Sequence, residues 1–173
     1  FNWEMLKQIV RFGLPSGVQN SIIALANVVV QSNINSFGEM AMAGVGAFSK
    51  IEGFGFLPIT SFTMAMTTFI SQNLGAKQHE RAKQSARFGI FMTALLAELI
   101  GVVVFIFAPQ LIAAFDSNPA VVEIGVEKAR TSALFFFLLA YSHAVSAILR
   151  GAGKAVVPMM VMMIFWCVVR VAF

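Results

Sequence analysis

The stretch FGIFMTALLAELIGVVVFIFA, residues 88–108, contains a single charged residue, Glu98. A helix needs about 20 predominantly apolar residues to cross the hydrocarbon core of a bilayer, and this stretch has that length. Backbone polar groups inside lipid must be satisfied within the segment, which a helix achieves. The run lacks the alternation of polar and apolar residues that a transmembrane β-strand shows. We therefore predict a membrane-spanning helix here.

Four other long runs with few or no charges divide the rest of the chain in the same way. Taken together, they predict an all-α, polytopic membrane protein. The five predicted spans are residues 12–37, 53–76, 88–108, 131–149 and 155–173.

The connecting segments have loop chemistry. Residues 38–52 are glycine-rich and too weakly apolar for a span, so we expect a loop there or a short interfacial helix. In residues 109–130 the sequence DSNP predicts a turn, followed by an amphipathic surface helix. The sequence RGAGK, residues 150–154, predicts a tight glycine turn between two spans.

The overall composition agrees with this interpretation. The chain is 58% hydrophobic and 12% charged, with a mean hydropathy of +0.82, whereas soluble domains are about 45–50% apolar and about 25% charged. Lys and Arg concentrate before the first span, in residues 77–87 and in residues 150–154. The positive-inside rule places these segments, and with them the N-terminus of the chain, in the cytoplasm. The net charge of +4 is explained by these loops, so we expect no nucleic-acid partner.

The sequence also excludes several kinds of chemistry. Cys167 is the only cysteine, which rules out an intrachain disulfide and a cysteine-based metal site. His79 and His143 are far apart, and no nucleotide-binding loop or zinc-protease motif occurs. We therefore expect no enzyme activity, no metal site and no cofactor. Because the chain begins with Phe and ends inside an apolar run, we expect a fragment of a longer polypeptide.

Polar residues in the first two spans follow a helical period. On the first span, five polar side chains from Ser16 to Asn35 fall within an arc of about 100°. Such residues often bridge membrane helices, and that alternative remains open for each hydroxyl. Five side chains exceed the needs of one helix contact, which favours a water-exposed cavity. The candidates for a substrate pathway are Asn20, Asn27, Gln31, Asn35, Thr60, Thr63, Thr67 and Ser71.

Two further residues are candidates for a proton or cation relay. Glu98 is an acid deep within a span, where a charge is costly unless it is protonated, hydrogen-bonded or in contact with water. Ala94, Ala97 and Gly101 flank it, so we expect it to face a neighbouring helix. His143 is a second candidate. For both residues a purely structural role, as a neutral hydrogen-bonded or packed side chain, is the alternative.

Four segments carry a resemblance to a known family. They are FGLPSGVQNSI (12–22), QSNINSFGEMAMAGVGAFSKIEGF (31–54), FISQNLGAKQHERAK (69–83) and ILRGAGKAVVPMM (148–160). In their order and spacing the chain resembles one half of the multidrug and toxic compound extrusion (MATE) transporters. The resemblance runs from about Gly13 to the end.

The resemblance implies two six-helix bundles and export of drugs or organic cations by Na⁺ or H⁺ antiport in the plasma membrane. It implies that this chain supplies five helices of the second bundle, with the sixth helix and the partner bundle elsewhere in the polypeptide. Substrate is held between such halves. The expected partners are membrane lipid, a small organic cation or drug, and the missing N-terminal half.

One departure concerns the coupling ion. Some relatives carry an acidic cation ligand in the first or fourth helix of this bundle, where this sequence has amides and His143. The resemblance therefore places coupling mainly in the missing half. Two other functions remain open: a flippase for lipid-linked oligosaccharides, from the same superfamily, and a structural membrane subunit that transports nothing. A flippase cavity should carry more intramembrane Arg or Lys than this sequence, in which only Arg170 stands within a predicted span.

Overall fold

The computed structural model of the chain describes residues 2–165, apart from the side chains of Phe12, Pro15 and Ser16. Six α-helices follow one another in this part of the chain, and it contains no strand. The predicted all-α class is confirmed. Residues 166–173 of the last predicted span lie outside the described part. The helices are α1 (Trp3–Asn35), α2 (Glu39–Gly75), α3 (His79–Ala113), α4 (Pro119–Ala133), α5 (Phe136–Gly151) and α6 (Val156–Met163).

Asparagine side chains cap two of the helices. Asn2 accepts a hydrogen bond from the backbone N–H of Glu4, 3.0 Å away, and so satisfies a donor that α1 leaves without a helical partner. Asn118 does the same for Ala120 at 3.1 Å, and Pro119 occupies the first turn of α4, where its missing N–H costs nothing. The predicted turn at DSNP is thus confirmed.

Two tight turns depend on glycine. Gly153, between α5 and α6, has a φ of 77°, and Gly38, between α1 and α2, has a φ of 97°. A side chain is strained in this left-handed region, whereas glycine adopts it freely. The glycine turn predicted from RGAGK is therefore confirmed.

The central core lies between α2, α3, α4 and α5, while α1 makes its main contacts with α6 and α2. Many buried side chains are small, and these allow the helix backbones to approach closely. The ring of Phe136 packs edge-on against that of Phe56, with centroids 5.2 Å apart. The buried side chains of this core include Phe48, Ile59, Ala97, Val104, Ile112, Ala129, Ala133, Phe136 and Ala140.

The expectation of a loop or short interfacial helix at residues 38–52 is wrong. Nearly all of this segment is the first part of α2, which continues without a break to Gly75. Gly44 is buried against the backbone of α4, close to Val121 and Gly125. Gly44, which lowers the hydropathy of this segment, is therefore a close-packing position for α4.

The predicted span at residues 131–149 is also interrupted. It begins in the last turn of α4, and α4 and α5 meet at an angle of 53° across Leu134 and Phe135. The N–H of Phe135 donates to the carbonyl of Ser132 at 3.0 Å, so a tighter turn replaces the regular helical bond. Hydropathy gave no sign of this break, because the residues around it are apolar.

By length and hydropathy, α2 and α3 can each cross a membrane, and α4 with α5 makes a third crossing if the bent pair is a single span. This count covers the described residues alone. The membrane boundaries of the five predicted spans stay a prediction.

Candidate functional site

A polar cavity of ≈ 650 Å³ lies between α1, α2, α5 and α6; we call it the central cavity. Amide side chains come from α1, hydroxyls from α2, and an imidazole and a guanidinium from α5. This arrangement arises because each helix turns its polar face toward the same space. The residues that line the cavity are Gln19, Asn20, Ile23, Asn27, Thr60, Thr63, Met64, Thr67, Thr68, His143, Arg150 and Met162.

The hydroxyls of the central cavity are satisfied largely within α2. Thr60 donates to the carbonyl of Leu57 and Thr63 donates to that of Thr60, each at 2.9 Å. Thr67 lies 3.0 Å from the carbonyl of Thr63 and 3.2 Å from that of Ala147, so it also links α2 to α5. Since a hydroxyl has one proton to donate, these threonines offer the cavity mainly acceptor oxygens and methyl groups.

His143 and Arg150 form the basic side of the cavity. They are two turns apart on α5, and both are half-buried. The centroid of the His143 ring lies 6.3 Å from that of Phe56, so the imidazole also packs against the aromatic core. This environment is compatible with either the relay or the structural role of His143.

A second cavity, of ≈ 480 Å³, lies between α1, α2 and α4; we call it the Glu52 cavity. Glu52 and Ser49 from α2 and Lys128 from α4 contribute its charged and polar wall, and Asn27 lines this cavity as well as the central one. The sequence interpretation missed Glu52 because it assigned residues 38–52 to a connector. Buried Gly44, Ala47, Phe48 and Ile51, with their helical spacing, were the signal available for α2.

The structure brings together most, but not all, of the predicted pathway residues. Five of them, and His143, line the central cavity, while Gln31 lines the Glu52 cavity. Asn35 accepts a hydrogen bond from Gln31 at 2.9 Å, and Ser71 donates to the carbonyl of Thr68. Asn35 and Ser71 are exposed and line neither cavity, and the side chain of Ser16 is outside the described part. The five in the central cavity are Asn20, Asn27, Thr60, Thr63 and Thr67.

Glu98 lies apart from both cavities. It lines a shallow groove of ≈ 280 Å³, together with Phe105 and Leu134 among others, and it is exposed. Glu98 stands at the edge of the buried face of α3, which is centred on Ala97 and Gly101, and shares its groove with Ala133 and Leu134 at the junction of α4 and α5. That it faces a neighbouring helix in the native-length protein stays a prediction. Glu98 and His143 do not share a site. Within residues 2–165, no group of three His, Cys, Asp or Glu side chains is placed to hold a metal ion.

Long apolar helices that enclose polar cavities define a polytopic helical membrane protein. The family model described as MatE matches residues 15–173, and the chain belongs to that family. The resemblance seen in the sequence motifs is thus confirmed.

Three relatives illustrate the match. The chain is 27% identical over 159 residues to the probable multidrug resistance protein NorM of Thermotoga maritima, covering 92% of this chain and 34% of that protein. It is 30% identical over 122 residues to the FAD transporter of Shewanella oneidensis, covering 70% and 26%. A crystal structure of MATE in complex with MaL6 superposes with a TM-score of 0.90 at 22% identity, covering 100% and 39%, and this likeness shows the fold. The chain thus spans about a third of the length of these relatives.

Proposed function

We propose that the chain forms part of a secondary active exporter of drugs and other amphipathic small molecules, organic cations among them. Export would proceed by Na⁺ or H⁺ antiport through alternating access. The observation that carries this proposal is the central cavity, in which three polar helix faces surround a space large enough for a small organic molecule. The cation specificity and the antiport come from the family resemblance.

The remaining parts of the proposal concern the setting of this site. The longer polypeptide would lie in the plasma membrane, with the N-terminus of this chain in the cytoplasm. The other half of that polypeptide would complete the substrate site and hold the main coupling carboxylate. Binding of Na⁺ or H⁺ would then bias the two halves between inward- and outward-facing states. We propose no cofactor besides this ion.

A test expresses the native-length protein in a drug-sensitive host and follows efflux of ethidium. The double variant Asn20→Leu, Thr63→Val changes the wall of the central cavity, whereas Asn35→Leu, Ser71→Ala changes polar residues outside both cavities. We expect the first variant to lose efflux and the second to retain it. Ethidium efflux by the wild type should stop when the ion gradients are collapsed. Equal efflux by the two variants would contradict the assignment of the cavity, whereas a wild type without gradient-dependent efflux would favour the structural subunit.

A flippase for lipid-linked oligosaccharides is the second candidate. It is favoured by Arg150, since the sequence interpretation expected basic groups in the spans of such a protein and assigned Arg150 to a turn. In the structure this guanidinium lines the central cavity. A translocation assay with a fluorescent pyrophosphate-linked lipid in liposomes distinguishes the two functions, because an exporter of drugs leaves that lipid in its original leaflet.

A further inference from the structure

We propose that the central cavity binds the anionic group, a phosphate or a carboxylate, of the molecule that is carried, and that Arg150 is its counter-charge. This inference rests on the proposed function, because it takes the central cavity as part of the solute path. It goes further in naming the charge of the group that the site selects.

The charged residues that line the central cavity are the first observation that supports an anion site. Arg150 and His143 line this cavity, and no Asp or Glu stands among the described residues that do. Glu52 lines the neighbouring Glu52 cavity, and Glu98 lines the groove beside α3. On the side of the cavity that this chain supplies, a cationic group would meet a guanidinium of like charge, whereas an anionic group would meet its counter-charge. The Coulomb interaction with these residues therefore favours an anionic group over a cationic one.

The environment of the Arg150 side chain is the second observation that supports an anion site. Its side chain is half-buried in the last turn of α5. Among the described side chains, which leave out those of Phe12, Pro15 and Ser16, none forms a hydrogen bond or an ion pair with it. A guanidinium that is partly removed from water has lost part of its hydration, so an anion that enters the cavity gains from pairing with it. The planar fork of N–H groups matches the paired oxygens of a carboxylate or phosphate.

The neutral groups of the cavity support the same assignment. Gln19 is only 6% exposed and lines the cavity, with Asn20 one residue further along α1. Each amide has two N–H donors that can bind the oxygens of an anion. The hydroxyl protons of Thr60 and Thr63 are already donated to carbonyls of α2. The donors available to a solute thus include the guanidinium of Arg150, the imidazole of His143 and the amides of Gln19 and Asn20, which suits an oxyanion.

The experiment compares riboflavin with flavin mononucleotide, since the two share one ring system and differ by a phosphate. The native-length protein is reconstituted in phosphatidylcholine liposomes, and gradient-driven uptake of each flavin and of ethidium is measured. We expect wild type to take up flavin mononucleotide in preference to riboflavin. Arg150→Gln should reduce that preference about 10- to 100-fold, the range of a charge-assisted hydrogen bond. Arg150→Lys, which keeps the charge but not the fork, should fall between them.

Arg130→Gln is the matched control. Arg130 lies over the ring of Phe105 on the exposed side of α4 and lines neither the central nor the Glu52 cavity, so its loss should leave all three rates unchanged. A parallel series with fluorescent phosphatidylglycerol asks whether the anionic group belongs to a lipid. Translocation of that lipid that depends on Arg150, without uptake of flavin mononucleotide, would support the site and identify the lipid headgroup as its occupant.

The outcomes separate the two proposals. If the wild type moves neither flavin, nor ethidium, nor the labelled lipid, the proposed transport function fails. If it moves ethidium but neither anion, or the two flavins equally, the function stands and the anion site is overturned. Equal loss of every rate in Arg150→Gln would also overturn it, because Arg150 would then support the fold or the gating rather than the solute.

Discussion

The contact between α2 and α4 at Gly44 gives a sharp test of the packing. A Cβ atom added to Gly44 would lie 2.8 Å from the carbonyl oxygen of Val121 and 3.0 Å from the nitrogen of Gly125. Both are backbone atoms of α4, so no side-chain rotation can relieve the clash, and the helices must separate. A Cβ atom added to Gly46, two residues further along the same helix, would meet no neighbouring atom within 4 Å. Gly44→Ala and Gly46→Ala therefore form a matched pair.

The difference between these variants follows from two terms. Both gain helix propensity, by about 0.8–1 kcal/mol, because alanine replaces glycine inside a helix. Only Gly44→Ala overpacks an interface, at a cost of about 1–3 kcal/mol. The propensity gain cancels in the comparison, so the free energy of unfolding should be about 1–3 kcal/mol lower for Gly44→Ala. Unfolding of the native-length protein in detergent, followed by circular dichroism, measures this difference. Equal stability of the two variants would refute the close approach of α2 and α4.

Three further predictions concern single polar groups. Thr67→Val removes the hydrogen bond to α5 and should lower the free energy of unfolding by roughly 0.6 kcal/mol. Ser71→Ala affects only a bond within α2 and should lower the free energy of unfolding by less. Thermal unfolding of the two variants measures the difference. Glu98→Gln should leave the rate and pH dependence of ethidium efflux unchanged because Glu98 lies outside both cavities, and a shifted pH profile would restore its relay role. Glu52→Gln should leave the dependence of efflux on Na⁺ and pH unchanged, because our proposal places the main coupling carboxylate in the other half of the polypeptide. A titration of efflux against Na⁺ and pH tests this, and a weakened apparent affinity for either cation would instead assign a coupling role to the Glu52 cavity.

Helical periodicity was enough to predict which residues of α1 and α2 share a space. Asn20 and Asn27 are two helical turns apart on one face, as are Thr60 and Thr67, and all four line the central cavity. The helical backbone fixes the angle between two residues around the helix axis, so this angle can be predicted from their spacing in the sequence. That angle does not predict how far along α1 the neighbouring helices extend. This is why Asn35, on the same stripe as Asn27, lies outside both cavities.

Hydropathy failed where small residues have a packing role. Gly44 lowers the average hydropathy of its segment, although it lies in a close contact between α2 and α4. With that segment assigned to a connector, Glu52 had no helix face on which to be placed. The break between α4 and α5 was missed for the opposite reason, since Leu134 and Phe135 are as apolar as a continuous span requires. Both predictions were wrong because hydropathy reports the polarity of side chains and not the geometry of the backbone.

A comparison of Thr93 with Thr63 shows which polar groups can select a solute. Thr93 is fully buried and donates to the carbonyl of Gly89 at 2.6 Å, and Thr63 donates in the same way to the carbonyl of Thr60. The two hydroxyls thus have the same local bond, but Thr93 packs in the core near Met66 while Thr63 lines the central cavity. A hydroxyl satisfied by its own helix gains little from a solute that needs a donor. Among the described side chains, that of Arg150 makes no such local bond. Our proposal therefore assigns the selection of charge to Arg150 rather than to the threonine face.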